Sequence, residues 1–464
     1  MESFTIKFKQ DKPLYLQLYT ALIGEISEGR LKAGEKLPSK RSLSEHLGIS
    51  VNTVDTAYQM LVSEGYIAAK AKSGFYACHV QKLALMSKAQ YQKPDVGIGG
   101  KSYVYNFSTG SVDTKLFPFK VWGRIQRDML SSHPELLNHG DGQGDANLRT
   151  AISEYLREYR AVTCNSEQII VGAGIEYLLS LLAHFFEGAQ IAVEDPGYAR
   201  ASRVLRANGV GTVAVPLDEN GLCVAALEQS GAAAAYITPS HQFPSGISMP
   251  IGRRQELLAW AAEKDSRYII EDDYDSEFRF NARPIPAMQG LDTHGRVIYI
   301  GTFSKSIAPS IRIGYMVLPM DMLARYNAEF GFYSSTVSRF EQQTLYRFIS
   351  EGHFARHLNR LRSAYRTRRD TLVAALQTAF GKYAKVMPAH TGLHLLLEIT
   401  NGKSEEEIVA LCENAKIKIT PLSEYYQTPP FARAPIFVMG FAGLSPQQIM
   451  PAAAALANAV LTVH

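Results

Sequence analysis

Cysteine is scarce in this 464-residue sequence, and the four present (Cys78, Cys164, Cys223 and Cys412) lie far apart with no CxxC pair. That spacing excludes a disulfide framework and a thiolate zinc site, and it fits a reducing compartment. Long hydrophobic runs are missing too. Stretches such as Leu178–Phe186 are about half the roughly 20 residues that a membrane span needs. The opening MESFTIKFKQDKPLY has no long apolar core and no cleavage signal, so a soluble, cytoplasmic protein without membrane association is expected. There is no strong charge surplus: the formal net charge is +4, and the first 80 residues carry ten Lys/Arg against eight Asp/Glu. A nucleic-acid partner must therefore be argued from local arrangement and not from bulk charge. Internal repeats and low-complexity tracts are absent.

What is present is an ordinary globular composition, 46% hydrophobic and 20% charged, in a chain long enough for two or three domains. In residues 1–80, Tyr15, Leu18, Leu22 and Ile26 recur at helical steps. Ser39 is placed to cap a second helix ending at Gly48, and Ser50 to cap a third that buries Val54, Ala57, Tyr58, Leu61 and Val62. Two short strands follow, 66–71 and 75–80, with Lys72-Ser73-Gly74 at the tip. Three helices and a hairpin describe a winged helix-turn-helix. Residues 81–104, broken by Pro94, Gly97, Gly99 and Gly100, read as an interdomain linker. Residues 105–464 alternate short apolar strands (168–171, 190–194, 211–216, 233–238, 268–272, 297–301, 314–318) with longer helices. This is the pattern of a mainly parallel sheet buried on both faces. Strands at 393–399, 417–421 and 436–441, after long helices, add a smaller α+β lobe.

In the first domain Ser39, Lys40 and Arg41 stand at a helix N-terminus, where amides and cations can hold a DNA phosphate. Ser50, Asn52 and Thr53 occupy the first turn of the third helix, the part that enters the major groove, and Asn can pair with adenine. Lys70 and Lys72, with the wing glycine Gly74, can reach the DNA backbone. The run from Leu37 to Val54, with the segments AYQMLVSEGYI and NTV, resembles the DNA-binding domain of the GntR family of bacterial repressors over about 13–78. Val51 stands where that family usually has Arg.

In the second domain Lys305 follows an apolar strand, in Gly301-Thr302-Phe-Ser304-Lys305-Ser306, with Arg312 seven residues on. A buried lysine there can form a Schiff base with an aldehyde cofactor, and Arg312, Thr302 and Ser304 can bind a phosphate. Tyr268-Ile-Ile-Glu271-Asp272-Asp273-Tyr274 places acids after a buried strand, costly unless partnered. Asp272 is assigned to the ring nitrogen of pyridoxal 5'-phosphate (PLP) and Tyr274 to its phenolic oxygen, with Glu271 and Asp273 directed elsewhere. Gly174, with the amides of Ile175 and Glu176, can bind the phosphate at a helix N-terminus. Tyr198 can stack on the ring, and His241 lies in a polar turn at another strand end. No metal site is expected.

Together these residues, with Phe117-Pro-Phe, Gly140–Arg149 and Gly440–Leu444, resemble a fold-type I aminotransferase domain. With the winged helix in front, the chain is similar to the MocR branch of GntR regulators. The resemblance implies PLP as cofactor, double-stranded DNA with paired half-sites as partner, a small amine or amino acid as effector, and a head-to-tail homodimer. His139 stands where the family has the Tyr that reaches the partner subunit's phosphate. Val438 stands where aminotransferases place the carboxylate-binding Arg, so Arg200 is the remaining candidate for an effector carboxylate. The function expected is sensing by aldimine exchange at Lys305. The alternatives are a working PLP-dependent aminotransferase with an accessory DNA-binding domain, and a regulator that has lost PLP.

Overall fold

The computed structural model describes residues 6, 8–9, 12–71, 73–79, 102–280, 285–387, 391–427 and 434–462. Lys72 and most of the expected linker lie outside the described residues. Internal contacts divide the chain into two compact units, Met1–Gly100 and Lys101–His464.

The smaller unit forms helices Leu14–Ser27, Lys40–Leu47 and Val51–Ser63, then an antiparallel pair, Ile67–Lys70 with Gly74–Ala77. Local chemistry sets the helix ends. The Ser39 side chain accepts from the Ser42 amide, and Gly48 ends the second helix at φ +66°. The Ser50 side chain accepts from the Thr53 amide at 3.1 Å. Each cap satisfies an amide that would otherwise have no intrahelical partner. Leu18, Leu22, Leu43, Val54, Ala57, Tyr58 and Leu61 close one small core. Tyr15, expected on the buried stripe, is exposed. The wing strands are each shorter than their sequence spans.

In the larger unit an eight-stranded sheet runs, edge to edge, Ile169–Gly172, Gly314–Val317, Val297–Thr302, Tyr268–Asp273, Ala234–Ile237, Gln190–Asp195, Gly211–Asp218 and Gly221–Leu222. Four neighbouring pairs at its centre are parallel, and three toward the edges are antiparallel. Alternate residues serve opposite faces. Ile191, Ala234, Ile270 and Ile298 pack under the helices Ile175–Phe185 and Ala199–Ala207, while Ala192, Ala235, Ile269 and Val297 pack under Ile251–Ala262.

The smaller lobe is an antiparallel sheet in the order Ala384–Met387, His394–Ile399, Ile436–Gly440, Thr420–Pro421. It is backed by the helices His353–Phe380 and Pro446–Leu461. The expected strand 417–421 is two pieces. Ile417–Lys418 pairs with Tyr105–Asn106, and Thr420–Pro421 pairs with Ile436–Gly440. Among the described residues no helix is long and apolar enough to cross a membrane.

Candidate functional site

The loops that follow Ile169–Gly172, Gln190–Asp195, Ala234–Ile237, Tyr268–Asp273 and Val297–Thr302 gather at one edge of the large sheet. Open α/β sheets bind ligands at that edge. Asp272 is buried there, and its Oδ2 accepts from the Tyr236 hydroxyl. Its Oδ1 is buried without a hydrogen-bond partner among the described residues. Burial first, then the repulsion of Asp273, Asp275 and Glu194, pushes this carboxyl up to about 7 against the Tyr236 bond. Glu194 has the same character: Oε2 accepts from Thr238 and Gln242, Oε1 is orphaned, and burial lifts its pKa to about 7. Paired buried acceptors are the rule, so orphaned carboxylate oxygens on Asp272 and Glu194, with Asp273 Oδ1 beside them, mark a site and not a finished core.

The neighbouring acids are occupied. Glu271 accepts from the amides of Met288 and Gln289, both at 2.9 Å. Asp273 takes the Arg160 guanidinium at 2.6 Å and the Tyr299 hydroxyl at 2.5 Å. Asp273 Oδ1 is also unpartnered, but that carboxylate already has the Arg160 cation, whereas Asp272 pairs with no cation among the described residues.

Lys305 donates from Nζ to the Thr109 carbonyl at 2.5 Å. Burial lowers its pKa, partly offset by the charge of Asp275. A depressed ammonium is the form that gives up a proton and becomes nucleophilic. Tyr274 belongs to a hydrogen-bonded group that includes Asp275, the carboxylate whose charge acts on Lys305. Its hydroxyl is 2.9 Å from His241 Nδ1, and the Asp275 carboxylate holds the same nitrogen at 3.0 Å. His394 packs on His241 with ring centroids 4.8 Å apart, and its Nε2 donates to the Pro244 carbonyl at 2.9 Å. Burial, with repulsion from His241, drops His394 to about 3, so it is neutral. His241, Asp275 and His394 have metal-ligand spacing, within 4.8 Å. Their present hydrogen bonds and the ammonium of Lys305 compete with that use.

The anion end is built from Gly174 and Arg312. Gly174 has φ +87°, and a Cβ there would stand 2.6 Å from Arg312 Nη2, so only glycine lets the guanidinium lie against the backbone. Arg312 itself sits in the left-handed region at φ +54°. Its Nη2 donates to the Ala173 carbonyl at 3.2 Å and to Glu176 Oε2 at 2.5 Å. Thr302 and Ser304 hydroxyls lie 2.8 Å apart, and Ile175 opens the helix Ile175–Phe185. Tyr198 meets Phe243 edge-on with centroids 6.0 Å apart. Arg200 is largely exposed and paired with Glu176 at 2.9 Å. His139 is exposed.

An orphan carboxylate, a desolvated lysine, a hydroxyl-bearing ring and a glycine–arginine cradle fit a flat aldehyde carrying a phosphate, which is the chemistry of PLP. Sequence reasoning missed Thr109, Tyr236, Asp275 and His394. Asp275 alone had a signal, since it continues the acidic run.

In the smaller unit Arg41 and Asn52 are exposed at the two helix N-termini. Ser50 and Thr53 bond each other at 2.8 Å as part of the cap. Lys40 is held by Asp55 of the third helix and lies over the Phe75 ring. Gly74 turns the wing at φ +110°.

Comparison with known proteins matches residues 14–77 to the family described as bacterial regulatory proteins, gntR family, and residues 103–456 to aminotransferase class I and II. The chain is 40% identical over 447 residues to the uncharacterized HTH-type transcriptional regulator YdeL of Bacillus subtilis, covering 95% of each. It is 34% identical over 475 residues to the probable rhizopine catabolism regulatory protein MocR of Rhizobium meliloti, covering 98% of this chain and 95% of the relative. Among solved structures, kynurenine aminotransferase from Pyrococcus horikoshii matches with a TM-score of 0.68 at 23% identity, over 78% of this chain and 91% of that one. That likeness shows the fold.

Proposed function

The chain belongs to the MocR-type GntR regulators, which join a helix-turn-helix to an aminotransferase class I and II domain, and on that premise we propose a PLP-dependent sensor of small amines. It is an HTH-type transcriptional regulator with an aminotransferase-like domain. The finer reading is that residues 1–80 bind DNA, residues 105–464 hold PLP and the effector, and residues 81–104 connect them. The observation that carries it is Asp272: a buried carboxylate with an unused oxygen, at the same sheet edge as a lysine whose pKa burial depresses.

When bound, PLP supplies an aldehyde that condenses reversibly with primary amines, on a ring that accepts electrons. The chain's own residues would then act as follows. Asp272 holds a proton on the ring nitrogen, and that proton gives its buried charge a partner. Arg312, the amides of Ile175 and Glu176, and the Thr302 and Ser304 hydroxyls bind the phosphate, with Gly174 allowing the close approach. Tyr198 packs on the ring, while Tyr274 donates to the phenolic oxygen with His241 behind it. Lys305 would hold the cofactor through its aldehyde carbon, the position that an incoming amine would compete for. Lys305 would then no longer be tethered to the ring, and its release would bias the protein between two states that differ in DNA affinity.

Arg41, Asn52, Thr53, Ser50 and Ser39 face DNA in this reading, with Lys72 and Gly74 at the wing. Two winged helices of a homodimer engage paired half-sites, and His139 reaches the partner's cofactor. The test is a titration of PLP-loaded protein with amines, reading promoter affinity. A change at the concentration that alters the cofactor spectrum supports the reading. Steady turnover of an amino donor with a keto acid, without effect on DNA binding, would replace it with the aminotransferase reading.

A further inference from the structure

Arg200 and Arg312 share one counter-ion. Glu176, second residue of the helix Ile175–Phe185, accepts from Arg200 Nη1 through Oε1 at 2.9 Å and from Arg312 Nη2 through Oε2 at 2.5 Å. Partial burial pushes this carboxyl up, but bonds from Arg312, its own backbone amide and Arg200 outweigh that and bring it down to about 2. Glu176 is thus charged at any working pH. Once Arg312 serves a phosphate monoester, which carries roughly two negative charges near neutral pH, the local field is negative. The two arginines are then already matched by Glu176 and the phosphate.

The described arginine nearest the Lys305 backbone partner is also engaged. Arg368, the buried arginine beside the Thr109 segment, is held by Asp113 and by the Ala442 carbonyl. In the small-lobe sheet Phe437 and Met439 join the core, so Val438, paired in register with Leu396, belongs to the opposite face. His394 stands on that face, two residues before Leu396 on the same strand, with its ring against His241. The face turned toward the site is therefore Val438, Leu396 and a neutral histidine.

We infer that the effector is a primary amine without a carboxylate, such as an amino alcohol or diamine, and that Glu176 is the residue that enforces the choice. It does so by holding Arg200 and by adding its own negative charge beside it. The inference rests on the reading that the Lys305 site holds PLP.

Matched probe pairs test it: 4-aminobutan-1-ol with 1,4-diaminobutane against 4-aminobutanoate, and ethanolamine against glycine. Binding to PLP-loaded protein is followed by calorimetry and by the cofactor absorbance. Wild type is expected to bind the carboxylate-free member at least about tenfold more tightly, a factor that one unscreened charge contact can supply. Glu176→Gln is expected to tighten the acids and narrow the ratio severalfold. If that variant loads PLP poorly, Glu176→Asp, which keeps the charge, should retain the wild-type preference. Loaded protein that binds the acids equally well, or binds neither member, or discriminates unchanged as Glu176→Gln, overturns this inference alone. Protein that takes up no PLP overturns the cofactor reading instead.

Discussion

The Tyr274 hydroxyl lies 2.9 Å from Nδ1 of His241, a nitrogen that the Asp275 carboxylate also engages at 3.0 Å. One nitrogen cannot both accept from the tyrosine and satisfy a carboxylate, so Nδ1 carries the hydrogen and gives it to Asp275. The tyrosine oxygen is then only a shared acceptor, and its own proton is free for the cofactor's phenolic oxygen. His241 Nε2 is the ring atom that is buried and unpartnered among the described residues.

Asp275→Ala removes the acceptor that fixes this tautomer. The Tyr274 proton then turns back to His241, and the phenolic oxygen loses a donor. A hydrogen bond to a charged group is worth about 1.5–3 kcal/mol, and one pKa unit is about 1.4 kcal/mol. The pH midpoint of the bound cofactor's visible absorbance should therefore rise by roughly one unit, measured by spectrophotometric titration. Tyr274→Phe should move it the same way.

Asp272 predicts a pH effect in cofactor-free protein. Its folded pKa, about 7, is raised above the ordinary value of 3.8. The fold therefore binds the proton more tightly than the unfolded chain. The resulting stability is present below about pH 4 and is lost as pH rises through about 7. Asp272→Asn never pays the cost of a buried charge. Relative to wild type, the variant without cofactor should gain stability between pH 5 and pH 8 in urea unfolding. With PLP the order reverses, because wild type alone can hold the ring nitrogen's proton.

Gly174→Ala places a methyl group 2.6 Å from the Arg312 guanidinium at a backbone φ of +87°. Strain of this kind costs about 1–3 kcal/mol. PLP affinity should fall by about one to two orders of magnitude, with the fold intact by circular dichroism.

On the DNA side, Asp55 ties Lys40 within the winged helix. Asp55→Ala frees one cation beside the recognition helix. Promoter affinity should rise, and the slope of log affinity against log salt should steepen by about one. Arg41→Ala should make it shallower by a similar amount.

The sequence made some of this legible and hid the rest for identifiable reasons. The winged helix could be read because Ser39, Gly48 and Ser50 set helix ends through contacts three or four residues away. The central sheet could be read because its strands are short apolar runs. Ala384–Met387 was not, since its residues are half-buried or exposed and show no apolar run. The segment 417–421 splits because Lys416, at φ +57°, and Pro421 bracket a change of partner strand. In the site, Lys305, Asp272 and Arg312 announce themselves locally. The contacts of His394 and Asp275 with His241 exist only after residues 153 and 34 positions apart have been folded together. The pairing of Glu176 with Arg200 is of the same kind.

The central claim is that Lys305 links amine binding to DNA binding. It is tested most directly by titrating PLP-supplied wild type and Lys305→Ala with 1,4-diaminobutane while reading promoter affinity in parallel. In wild type, promoter affinity should change at the concentration that changes the cofactor absorbance, and in Lys305→Ala it should not respond. An equal promoter response in Lys305→Ala would contradict the account.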